Sequence, residues 1–161
     1  MAHDPAEAPR AAGLGGRLLT FAGDGEFSAL SGAVTALVCA PSTDHPGYGD
    51  VLEWTVTTTA EVIALKLGPI VNGGIADYHI KIRTPDGRIV EIGELPAPEC
   101  HLWIAIVDAL TGDTHRARHH LAPVVHGTDR EGQIRALLEA LAWLDRLLDI
   151  PAFPEPDTAT G

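Results

Sequence analysis

Basic side chains are scarce. The 161 residues hold 11 Lys+Arg, of which two are lysines, against 22 Asp+Glu, for a formal net charge of -11. A surface with that balance has no cationic stripe to follow a phosphate backbone or to settle on anionic lipid, so nucleic acid and membrane are excluded as expected partners. Long apolar runs are missing too: the most apolar stretches, Ala33–Ala40 and Leu102–Val107, fall well short of the ~20 residues of a membrane span. Cysteine is nearly absent. Cys39 and Cys100 stand far apart with no CxxC, and the opening Met1-Ala-His-Asp-Pro-Ala-Glu7 carries acids where a secretory leader needs cations. A cytoplasmic protein with two free thiols is the expectation.

Motifs that announce a reaction are missing as well. The sequence contains no GxxxxGK[ST], GxGxxG, GxSxG or HExxH, which removes the recognisable nucleotide-binding, hydrolase and zinc-protease arrangements. No cofactor is expected. Aromatic residues are 5% of the chain, so the core must be built from aliphatic side chains and alanine.

The remainder is an ordinary globular composition, 45% hydrophobic and 20% charged, long enough to bury a core without metal or disulfide staples. Residues 1–15, rich in Ala, Pro and Gly, read as a flexible N-terminal segment, residues 16–150 as a single α+β domain, and 151–161 as a flexible C-terminal tail. Within the domain, Arg17–Ala22 suits a first strand. Leu30, Val34 and Leu37 suit one face of a helix over residues 26–39, although the β-branched residues there leave a strand open.

From Val51 the period changes to two. Leu52, Trp54 and Val56 alternate with Glu53, Thr55 and Thr57 as in a half-buried strand, and Val62–Leu67 would make the next. Pro85-Asp86-Gly87 supplies a hairpin turn after Ile75–Arg83. His101–Asp108 and Arg116–Val125 then read as further strands, joined by short turns that favour an antiparallel meander of about six. Thr128-Asp-Arg-Glu131 has the form of a capping box, followed by a long helix with Ile134, Leu137, Leu138, Leu141, Leu144 and Leu148 at helical spacing. The fold class expected is thus an antiparallel β-meander packed on a long C-terminal helix. In element order alone this resembles the helix-grip architecture of lipid-transfer and pollen-allergen-like domains, which implies an internal cavity; a cavity-free sheet-and-helix sandwich is the alternative.

Eight histidines are the chemically richest feature. On a strand, His115 and His119 share a face but stand ~13 Å apart, too far for one ion with ~2 Å bonds, and only a helical or looped segment would bring them together. No metal site is therefore expected. For acid-base work the candidates are His119, in phase with Ala117 and Leu121, together with Glu53 and His79 on polar strand faces. Trp54, Tyr78 and Trp103, each in the apolar phase of its strand, are the candidate ligand-binding residues. These point to a domain that binds an apolar or aromatic small molecule between sheet and helix, with cofactor-free isomerase, cyclase or dehydratase chemistry open to it. The acid excess supports the other expectation, an acidic interaction module such as an adaptor, chaperone or immunity-type inhibitor, acting on a protein partner or as a homodimer.

Either way the C-terminal helix must carry the core. Leu141→Asp should abolish cooperative unfolding, since an unpaired buried carboxylate costs several kcal/mol of a typical total of ~5–15. A near-wild-type melt of that variant would remove the helix from the core.

Overall fold

Helices occupy nearly all the positions expected to be strands. The computed structural model describes residues 7–40, 45–67 and 82–151. In them the chain forms α1 (Glu7–Gly23), α2 (Phe27–Cys39), α3 (Tyr48–Leu67), α4 (Glu99–Leu110), α5 (Thr114–His126) and α6 (Arg130–Asp149). The only sheet among the described residues is a ribbon of β1 (Ile82–Arg83) and β2 (Ile89–Val90), antiparallel, with Ile82 opposite Val90 and Arg83 opposite Ile89. The α+β class, the antiparallel meander and the helix-grip resemblance are corrected by this: the protein is a helical bundle. Arg17–Ala22 lies in α1, which begins at Glu7, inside the stretch whose composition suggests a loose N-terminus. Of residues 26–39, Phe27–Cys39 are helical, with Glu26 at the N-cap.

The ribbon is closed by the expected turn. Gly87 N–H donates to the Thr84 carbonyl at 2.8 Å, Thr84 N–H donates to the Arg88 carbonyl at 2.8 Å, and Gly87 takes φ 86°. This is the three-residue hairpin that ends in a left-handed glycine.

The central element is α3, which packs on α1, α4, α5 and α6. Its period-two pattern is misleading because threonine can be a core residue of a helix. Thr55 and Thr59 are fully buried, and each hydroxyl donates to the carbonyl four residues back, Thr55 to Val51 at 2.8 Å and Thr59 to Thr55 at 2.7 Å. A hydroxyl satisfied by its own helix can be buried without a desolvation penalty. Two adjacent rows then face the core, Val51-Thr55-Thr59-Val62 and Leu52-Val56-Ala60-Ile63, at the i, i+4 spacing of a helix.

The α4 run, apolar on both faces as a strand, sorts correctly as a helix: Leu102, Ala105 and Ile106 are buried against the bundle. In α5 the buried line is Ala117, Leu121 and Val124. A tight turn at Gly112 (φ 83°) joins the two helices, and Asp113 caps α5 by accepting from Arg116 N–H at 3.0 Å. The α6 cap shifts by one residue from the expected box. Asp129 accepts from Gly132 N–H at 2.7 Å, while the Thr128 hydroxyl donates to the Pro123 carbonyl at 3.2 Å. Leu137, Leu141 and Leu144 are fully buried as their spacing requires, whereas Leu148 near the helix end is exposed.

Polar ties fix the ends of α3. The Tyr48 hydroxyl donates to the Gln133 carbonyl at 2.7 Å, and the Gln133 amide donates to the Val125 carbonyl at 2.6 Å, linking α3, α6 and α5. Burial holds the Tyr48 phenol well above its ordinary pKa, so it stays a donor. At the other end the Lys66 ammonium donates to the Leu148 carbonyl at 3.3 Å and to the Ile150 carbonyl, a cation at the negative end of α6.

Where α1 meets α3, Gly15 lies directly against the Trp54 indole. A Cβ there would stand inside van der Waals contact of three ring atoms, whereas one on Gly16 would meet nothing within 4 Å. Gly15→Ala is expected to destabilise by ~1–3 kcal/mol through overpacking, and Gly16→Ala to stabilise by ~0.5–1 kcal/mol through helix propensity. Urea titration of both variants checks this; equal effects would place the helices further apart than described.

Candidate functional site

One stripe of α3 faces away from the core. Asp50, Glu53, Trp54 and Thr57 stand at i, i+3, i+4 and i+7, the spacing of a single helix face. Opposite them α5 contributes Thr114 and Arg118, and α1 contributes Ala8 and Ala11, whose small side chains leave space. The result is a recess of ≈ 290 Å³ walled by three helices. A second recess of ≈ 320 Å³ shares Asp50, Glu53 and Arg118 with the first and is completed by Gly49, Leu121 and His126, among others. The two meet at an ion pair in which Arg118 Nε donates to Glu53 Oε1 at 2.6 Å. With Arg118 half exposed, such a pair adds less than about 1 kcal/mol to stability.

Glu53 and Trp54, expected on opposite strand faces, are therefore brought together on one helix face. The remaining expected site residues are not. Trp103 on α4 stacks against Trp143 of α6, ring centroids 4.9 Å apart and tilted 32°. His119 is exposed on α5, edge-on to His120 at 5.8 Å, and the partner of Glu53 is Arg118. Tyr78 and His79 lie outside the described residues. Arg118, within the segment expected to be a strand, is the site residue that the sequence pattern did not single out. The helical spacing of 50, 53, 54 and 57 is the signal that could have found it.

A second charged group ties α4 to α5. Asp108 is buried, with His120 Nε2 3.5 Å from Oδ2 and Arg116 Nε 3.8 Å from Oδ1. Among the described residues no three His, Cys, Asp or Glu side chains converge to hold a metal ion, and no helix is long and apolar enough to cross a membrane.

No family model, curated protein or solved structure matches this chain. The site must be judged on its own chemistry.

A carboxyl pair between α4 and α6 is the other electrostatic feature. Burial first, then the charge of Glu99 and a hydrogen bond to it, push the Glu139 carboxyl above its ordinary range, against the pull of Arg135. Glu99 Oε2 is buried without a hydrogen-bond partner. A carboxyl whose pKa is raised by folding binds more protons in the native state, so its penalty is present above the raised value and vanishes below the unfolded value of ~4.3. Glu139→Gln removes that charge and supplies an N–H to Glu99. It is expected to raise stability near pH 7 by about 0.5 kcal/mol after solvent screening, with the advantage lost by about pH 4. Chemical denaturation of both proteins across that range checks the sign; a variant less stable than wild type at neutral pH contradicts it.

Proposed function

We propose that the recess between α1, α3 and α5 binds a small molecule with a flat apolar body and one polar or charged group. The observation that carries this is the convergence of Glu53, Trp54 and Arg118 from two helices on one concavity whose third wall is two alanines. An indole offers area at low entropic cost, and a carboxylate and a guanidinium side by side can orient either sign of ligand charge. The ligand lies between helices, not between sheet and helix. Binding is favoured over turnover, because the cleft carboxylate is engaged by a guanidinium and, among the described residues, no hydrogen bond joins it to an imidazole.

The net charge of -11 supports a second function, an acidic module that engages a basic protein partner. Native mass spectrometry of the protein taken from its source cell separates the two. A co-purifying small molecule is expected, with its affinity reduced about tenfold to a hundredfold by Arg118→Gln, the equivalent of ~1.5–3 kcal/mol for a charged hydrogen bond. Thermal melting should show the fold of that variant intact. A stoichiometric protein partner with no small molecule, or a ligand indifferent to Arg118→Gln, would overturn the assignment.

A further inference from the structure

The objection to a histidine chelate was the spacing of a strand, and α5 is a helix. At about 100° per residue, His115 and His119 lie diametrically opposite the buried line of Ala117, Leu121 and Val124. Both are exposed. Residues four apart on one helix face have Cβ atoms about 5–6 Å apart, within reach of one ion at ~2 Å from each imidazole nitrogen. This is the i, i+4 geometry by which helices present two histidines to zinc.

The surroundings favour a cation there. The two arginines flanking the histidines are turned to either side, Arg116 toward Asp108 at 3.8 Å and Arg118 toward Glu53 at 2.6 Å. His120 is likewise turned to Asp108. Their charge is thus offset by acids of α4 and α3, and the chain as a whole carries -11. His126 lines the second recess and, seven residues beyond His119, is about 10 Å along the helix axis, too distant to join them.

We propose that His115 and His119 form a two-imidazole chelate on the outer face of α5. It takes a borderline divalent ion of the zinc, nickel and copper(II) class, with water filling the remaining positions. The ion bridges two turns of one helix and is separate from the recess, whose residues face α1 and α3.

The test is calorimetric titration of the untagged full chain with nickel and with zinc chloride, repeated on His115→Gln, His119→Gln and His126→Gln. One ion per chain is expected in the wild type and in His126→Gln, while His115→Gln and His119→Gln each weaken binding by about tenfold or more through loss of the chelate. Far-UV circular dichroism should show all three variants folded, since each replaced ring is exposed and faces away from the core. Absence of binding in the wild type overturns the proposal. So does binding that survives both the 115 and 119 substitutions, or that falls equally in His126→Gln.

Discussion

The bundle depends on burying a helix that carries seven threonine and acidic side chains among its first fourteen residues. Helix α3 touches four others, and at its centre Thr55 and Thr59 are sealed from solvent. That is affordable only because each hydroxyl closes on a carbonyl of its own helix, which satisfies the oxygen before any neighbour is packed. Remove that local bond and the two rows of α3 could not both face inward. Asp50, Glu53, Trp54 and Thr57 lie outside these buried rows, on the face of α3 that lines the recess.

The same fact decides how much of the fold was legible. Alternation of Leu52, Trp54 and Val56 with Glu53, Thr55 and Thr57 is a true period of two if threonine counts as polar. Counting threonine as buried restores the helical rows, and no composition rule says which to choose. The α4 segment was ambiguous for another reason: a short run apolar all round fits a buried strand or a buried helix equally well. In α6 the helical spacing that includes Leu137, Leu141 and Leu144 lies in a twenty-residue element with a cap and a stop, so periodicity alone sufficed. The turn at Pro85-Asp86-Gly87 was legible because its chemistry is local, although the described strands beside it are only two residues each.

The site was half legible for the same physical reason. Glu53 and Trp54 were singled out as residue types that suit a ligand, but strand geometry put them on opposite faces and paired Glu53 with histidines. A helix turns each residue by about 100°, which joins 50, 53, 54 and 57 on one face. Arg118 became visible only when α5 was seen to be a helix lying beside α3.

Helix α5 shows how one short segment serves three environments. Its apolar line enters the core, its two arginines lean to opposite flanks, and its histidines occupy the outer face. The flanking contacts differ in kind. Asp108 is buried with Oδ2 lacking a hydrogen bond, and Arg116 and His120 approach it only at 3.8 and 3.5 Å, so they offset its desolvation in part. Glu53 and Arg118 meet where water reaches both, and there an ion pair is worth little. The Asp108 carboxylate stands at the junction of α4 and α5, while the Glu53–Arg118 pair, open to water, leaves a carboxylate and a guanidinium that a ligand can take over without loosening the bundle.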